Sequence, residues 1–279
     1  MNHKIKMIGL DLDGTLLTTK KEVTTYTRKV LEQALAQGIQ VLVSTGRPIS
    51  AIPKEVLNIH GMKYAVTSNG ARVLDIETNE VLHESMISME TAEQLIDILS
   101  DYDAILEIFI NGVSYARSAE LEHVYDYFEN PSMAEYVLNT RIRVEDVKAT
   151  LHEKHSPVDK VHGMFKNAED MKNAYECLSK IPGIVAVSSF GNNLEMNREG
   201  TDKGKGLLAL GELLGIKREE IMACGDGMND FEMLKTVGFA VAMENGHPRV
   251  KEIADYITVT NDEDGVAKAI EKFALQLEE

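Results

Sequence analysis

Tryptophan is absent from this chain, cysteine occurs twice, and there are only six prolines in 279 residues. Cys177 and Cys224 lie far apart and belong to no Cys-x-x-Cys pair, so neither a disulfide framework nor a zinc site is supported, and both read as small buried apolar residues. Scarce proline and the lack of any Ser/Gly/Pro-rich tract leave no room for an extended disordered segment. No apolar run approaches the roughly 20 residues that span a bilayer. The apolar stretch within MNHKIKMIGLDLD meets two aspartates too soon to be a signal-peptide core, so we expect a cytoplasmic protein without membrane contact. Positive charge is also short. With 29 Lys+Arg against 45 Asp+Glu the net charge is −16, which repels phosphate backbones and anionic lipid and makes nucleic acid a poor partner. To bind a phosphorylated small molecule, such a chain must neutralise the phosphate locally, with a metal, a lysine or backbone N–H groups.

The rest of the composition, 44% hydrophobic and 27% charged, is that of a globular protein long enough for one large or two medium domains. Short apolar runs at 5–10, 39–44 and 64–67 end at polar residues, as buried parallel strands do at a sheet edge. Between them, Val30, Leu31, Ala34 and Leu35 recur at helical spacing before Gly38, and Ile52, Val56 and Ile59 suggest a second helix ending at Gly61. The same rhythm returns near the C-terminus, with helices at 207–214, 231–235, 250–254 and 266–277 and strands at 221–224, 239–243 and 256–260. Strands alternating with helices argue for a parallel sheet covered on both faces, an α/β, Rossmann-like core.

The alternation breaks between these two parts. Residues 73–76 and 80–83 look like a hairpin, and a strand at 104–110 closes at Asn111-Gly112. Helices at 89–99 and 171–178 and strands at 161–165 and 184–188 follow irregularly. We therefore expect a core formed by residues 1–84 and 190–279, interrupted by an inserted α+β cap domain at 85–189.

Four strand ends or helix starts carry polar clusters. In Asp11-Leu12-Asp13-Gly14-Thr15 the two carboxylates, two residues apart on extended chain, point to one side while Leu12 turns into the core. Alone, Asp-x-Asp-Gly is equally a turn, although the EF-hand version fails because its glycine belongs at the sixth position. Thr45-Gly46 offers a hydroxyl and an approachable N–H suited to phosphate oxygens. Lys203 precedes a helix, and Asp226 and Asp230 in GDGMND would crowd Asp11 and Asp13 into a cluster tolerable only with a bound cation. The histidines show no ligand spacing.

In order and placement, DLDGTLL, VSTGRP, DKGKGL and GDGMND resemble the four motifs of the haloacid dehalogenase superfamily of phosphohydrolases. The TGRP form, the SNGA after the third strand and the long insertion resemble its Cof-like branch, and the resemblance spans the whole chain. It implies that Asp11 is the nucleophile of an aspartyl-phosphate intermediate and Asp13 the general acid and then base. It implies Mg²⁺ held by the Asp11 carboxylate, the Asp13 carbonyl and Asp226, with the phosphoryl oxygens met by Thr45, the N–H groups of Gly46 and Leu12, and Lys203. Asn229 would contact phosphate, and Asp230 would orient Lys203 or a water on the metal. Arg47 and Asn69, just beyond, read equally as substrate contacts or as a surface ion pair and a turn former. The implied activity is phosphatase action on small phosphorylated metabolites, sugar phosphates foremost. The alternatives are a phosphotransferase or mutase with the same intermediate, and a regulator that binds phosphometabolites without turnover.

Overall fold

The computed structural model describes residues 4–128, 130–189 and 191–275. They fall into two units, one formed by the described residues of Met1–Gly46, Ile52–Glu84 and Asp202–Glu279, the other by Arg47–Ala51 and Ser85–Thr201.

The first unit is built on an eight-stranded sheet. From one edge its strands are Tyr256–Ile257, Phe239–Ala242, Ile221–Gly225, Met7–Leu10, Gln40–Ser44 and Tyr64–Thr67, all parallel, followed by the antiparallel hairpin Arg72–Asp75 and Val81–Glu84. Met7–Leu10 is wholly buried because both of its faces are covered. Met7 packs with Leu207, Leu210, Met233 and Leu234 on the helices Lys203–Leu214 and Phe231–Thr236, while Ile8 and Leu10 alternate to the other face. The helix Thr25–Ala36 buries Val30, Leu31 and Ala34, is capped by Thr24, and packs against Gly265–Phe273. Because the chain turns from the central strand Met7–Leu10 toward Gln40–Ser44 on one side and reaches Ile221–Gly225 on the other, a crevice opens at the carboxyl end of the first strand.

The second unit carries a six-stranded sheet in the order Ile184–Val187, Asn193–Arg198, Lys160–Phe165, Ala104–Ile110, Val113–Arg117, Ile142–Val144, antiparallel except for the last pair. One face, with Leu106, Ile108, Val161, Leu194 and Met196, packs on the helices Met89–Leu99, Val147–Lys154 and Ala168–Leu178. The alternating positions Glu107, Lys160, His162, Asn193, Glu195 and Asn197 form a buried polar face. There Arg141 makes a forked pair with Glu107 (2.9 and 3.0 Å), His162 meets the same carboxylate at 3.0 Å, and Lys160 reaches Glu195 at 2.7 Å.

Several sequence expectations are adjusted. The strand expected at 256–260 is limited to Tyr256–Ile257, and the helix expected at 52–61 to Lys54–Leu57, because Pro53 stands at its start. Of the helix expected to 277, Gly265–Phe273 is seen, and Leu277 lies outside the described residues. Asn193–Arg198 was not anticipated, and the second unit runs on to Thr201. Cys177 is exposed rather than buried, since Ala168–Leu178 buries only Ala174 and Leu178; Cys224 is buried, and both thiols are free. No described helix is long and apolar enough to cross a membrane.

Candidate active site

The register Leu10↔Val43 and Leu10↔Cys224 aligns three strand ends, so Asp11, Thr45 and Asp226 leave the sheet side by side. Asp11 is held at its backbone, its N–H donating to the Cys224 carbonyl at 3.0 Å. Leu12 is fully buried, and its carbonyl accepts the N–H of Leu17 at 2.9 Å, curling the chain back under the strand. Gly14 takes φ +82°, and a Cβ there would stand 2.4 Å from Asp226 Oδ2, so only glycine lets Asp226 close on this loop. The Thr15 hydroxyl then donates to Asp226 Oδ1 at 2.8 Å.

Lys203 opens the helix Lys203–Leu214, capped by Asp202, whose side chain accepts the Lys205 N–H. That helix lies close against the third strand because Gly206 has no side chain; a Cβ would come within 2.6 Å of Val66 Cγ1. The Lys203 side chain, 0% exposed, ends between two carboxylates: Nζ is 2.6 Å from Asp11 Oδ1 and 2.7 Å from Asp230 Oδ1. The other oxygen of Asp230 accepts the N–H groups of Asp226 (3.0 Å) and Gly227 (2.9 Å), which folds the GDGMND turn around it. Asp230 thus spends both oxygens on Lys203 and on the turn. Asn229 is half-buried on that turn.

One carboxylate oxygen from each of Asp11, Asp226 and Asp230 lies within 4.8 Å of the others. Three carboxylates against one ammonium leave two negative charges in a buried place, and the titration reflects it. Burial and the neighbouring Asp230 push Asp11 well above the usual carboxylate range, with Lys203 opposing, and raise Asp226 to about 7. Burial works against the charge on Lys203, but Asp11 and Asp230 outweigh it and hold the ammonium above its ordinary value. An all-oxygen donor set with two excess negative charges fits a hard divalent cation. The Cys224 thiol, pushed to about 12 by burial, is no competing nucleophile.

The remaining expected residues divide. Thr45 is buried, its N–H donating to Val66, and its carbonyl accepts the Asn69 N–H at 3.0 Å. Asn69 adopts φ +59° in the turn Ser68–Gly70, so its visible work is to tie the third strand end to the Thr45-Gly46 loop. Arg47 belongs to the second unit, where its guanidinium lies 4.2 Å over the Tyr136 ring and donates to the Ala51 carbonyl at 3.0 Å. Asp13 forms an ion pair with Lys21, Nζ to Oδ1 2.6 Å. Thr15 and Lys21 were not anticipated. Thr15 follows the Asp-x-Asp-Gly and its hydroxyl had a visible signal there, whereas the role of Lys21 depends on a turn that its own sequence does not announce.

A family model described as haloacid dehalogenase-like hydrolase matches residues 8–270. This chain belongs to that family. It is an enzyme of the family's phosphatase type, a phosphoric monoester hydrolase. Among relatives, the 5-amino-6-(5-phospho-D-ribitylamino)uracil phosphatase YcsE of Bacillus subtilis is 29% identical over 97% of this chain and 96% of its own. A haloacid dehalogenase-like hydrolase from B. subtilis superposes with TM-score 0.85 at 31% identity, covering 97% of this chain and all of that one. The subclass IIB sugar phosphatase BT4131 superposes with TM-score 0.79 at 25% identity, over 96% and 98% of the two chains.

Proposed function

We propose that this enzyme is a Mg²⁺-dependent phosphatase of small phosphorylated metabolites, sugar phosphates foremost, working through an aspartyl-phosphate on Asp11. The observation that carries the reading is the fully buried Lys203 ammonium clamped between Asp11 and Asp230, with Asp226 completing a carboxylate cluster two charges in excess. Asp11, Asp226 and the Asp13 carbonyl would hold the cation, which supplies charge neutralisation so that an anionic phosphate can approach an anionic nucleophile.

A carboxylate oxygen of Asp11 attacks phosphorus while the bond from phosphorus to the substrate oxygen breaks, and the Asp13 carboxyl gives its proton to that departing oxygen. The alcohol leaves neutral. Water then bonds to phosphorus, passing a proton to the Asp13 carboxylate, and the phosphorus–Asp11 bond breaks to free inorganic phosphate. Lys203 orients Asp11 before attack and offers its charge to the phosphoryl oxygens afterwards. Thr45, Asn229 and the N–H groups of Leu12 and Gly46 receive those oxygens. Asp230 anchors Lys203.

The sugar-phosphate preference is supported by the named substrates of similar proteins, a sugar phosphate class for BT4131 and a phosphorylated ribityl chain for YcsE, both polyhydroxylated. We assign leaving-group selectivity to the inserted unit, which lies outside the four motifs, and to Arg47. A cytoplasmic location agrees with the two free thiols. The test is phosphate release from a panel of sugar phosphates, sugar-alcohol phosphates and nucleotides, with and without Mg²⁺. Release dependent on the metal, with the highest kcat/KM among polyhydroxylated substrates, is expected. Transfer of the phosphoryl group to another hydroxyl without phosphate release would instead make it a phosphotransferase.

A further inference from the structure

The turn after Asp13 carries a residue that the steps above do not use. Lys21 is in the left-handed region, φ +64°, which a side chain with a Cβ adopts only under constraint. The constraint is visible: the Lys21 N–H donates to the Thr18 carbonyl at 2.8 Å and the Thr18 N–H to the Glu22 carbonyl at 3.0 Å. From there the side chain folds back to place Nζ 2.6 Å from Asp13 Oδ1. The intervening loop is fastened along its length. Asn245 Nδ2 donates to the Gly14 carbonyl (2.8 Å), Asn261 Nδ2 to the Leu17 carbonyl (2.9 Å), and the Thr19 N–H and hydroxyl to the two oxygens of Asp262 (2.7 and 2.6 Å). Stability does not account for this arrangement. With the Lys21 and Asp13 side chains 35% and 19% exposed, the ion pair adds little net stability, no more than the left-handed backbone takes away.

We propose that Lys21 is a positioning residue for the acid–base step. Its ammonium anchors Oδ1 of Asp13, which fixes the direction of the other oxygen, so that the carboxyl meets the leaving oxygen in the first half-reaction and the incoming water in the second. The proton moves only between Asp13 and those oxygens, and Lys21 keeps its own protons throughout. The proposal rests on the assignment of Asp13 as acid and base.

The experiment is a double-mutant cycle with Lys21→Met, Asp13→Asn and their combination, plus Lys21→Arg and, as a control, the exposed neighbour Lys20→Met. Steady-state kinetics are read on 4-nitrophenyl phosphate, whose leaving group needs little protonation, and on the best alkyl phosphate of the panel above. A misdirected acid costs on the order of 10- to 100-fold. Lys21→Met is expected to lose that factor in kcat on the alkyl phosphate, with KM nearly unchanged and under about 3-fold loss on the nitrophenyl ester. Lys21→Arg should restore most of it, and Lys21→Met should add nothing once Asp13 is Asn, because coupled groups are not additive. Lys20→Met should match the parent. The proposal is overturned by a Lys21→Met enzyme with parental kcat on the alkyl phosphate, by equal losses on both substrates, or by a Lys21→Met loss that persists in full beside Asp13→Asn. If Asp13→Asn itself slows both substrates equally, the acid–base assignment falls and takes this proposal with it. A leaving-group-dependent Asp13→Asn with a silent Lys21→Met overturns the proposal alone.

Discussion

Replacing Lys203 with methionine keeps the length of the side chain and removes its charge from a place with no exposure to solvent. Asp11 and Asp230, 2.6 and 2.7 Å away, lose the cation that both face, with Asp226 close by. Breaking a buried ion pair by deleting one partner costs about 3–5 kcal/mol. At about 2–4 °C per kcal/mol for a unit of this size, the melting temperature of the metal-free protein should fall by roughly 6–20 °C. The loss should depend on pH in a definite direction. Without Lys203 to lower it, the raised pKa of Asp11 climbs further, and a raised group stabilises its protonated form. The deficit is therefore mildest in acid and grows as pH rises toward 8. Thermal unfolding followed by circular dichroism in chelator at pH 5 and pH 8 measures this. Adding Asp230→Asn should recover part of the stability and none of the phosphatase activity. A Lys203→Met protein melting within about 2 °C of the parent at pH 8 would refute the reasoning.

The titration of Asp226 extends the same logic to the unmodified protein. Its folded-state value of about 7 lies above its unfolded one, so its stabilisation is complete below the ordinary carboxylate range and is lost as pH rises through about 7. Chelated protein should melt progressively lower from pH 5 to 8, and the rise in melting temperature on adding Mg²⁺ should widen over that interval. In the second unit the sign reverses. Burial opposes the Glu107 carboxylate, but Arg141 and His162 outweigh it and bring Glu107 to about 2, so its stabilisation is present above the ordinary range and disappears as pH falls through about 2. Arg141→Met should cost about 3–5 kcal/mol in denaturant titration, and a second change, Glu107→Leu, should return part of it by replacing a buried charge left with His162 alone by apolar packing.

The core and its carboxylate cluster were legible for one physical reason. A strand buried on both faces must be an almost unbroken apolar run, so the polar residues that end it stand out, and parallel strands put those ends on one edge. Asp11, Thr45 and Asp226 were placed this way, whereas the close approach of the Lys203 helix to the third strand, which Gly206 permits, was not read from the sequence. The strand Asn193–Arg198 escaped because it alternates Asn193, Glu195 and Asn197 with Leu194 and Met196, and such a segment reads as a loop until its polar face finds partners such as Lys160 and His162. Cys177 was misjudged because Ala168–Leu178 presents a narrow apolar stripe on which it does not lie. Apart from the crowding of Asp226 and Asp230 on Asp11, contacts between particular side chains far apart in the sequence were not legible. Thr15 meets Asp226 from 211 residues away, and Arg47 stacks on Tyr136, in a helix whose register with the loop nothing in either segment predicts. Lys21 depended on a left-handed residue in a turn that contains neither glycine nor asparagine.

The central claim is that Asp11 carries the phosphoryl group during turnover, and acid quenching tests it most directly. Parent and Asp11→Asn proteins are mixed with Mg²⁺ and the best substrate of the panel, quenched in acid during turnover, digested and weighed by mass spectrometry, with phosphate release followed in parallel. The account predicts a phosphoryl group on the peptide containing Asp11 in the parent, none in Asp11→Asn, and a loss of phosphate release of at least about 10³-fold in the variant. Near-normal phosphate release by Asp11→Asn, or a phosphoryl group found on any other residue of the parent, would contradict it.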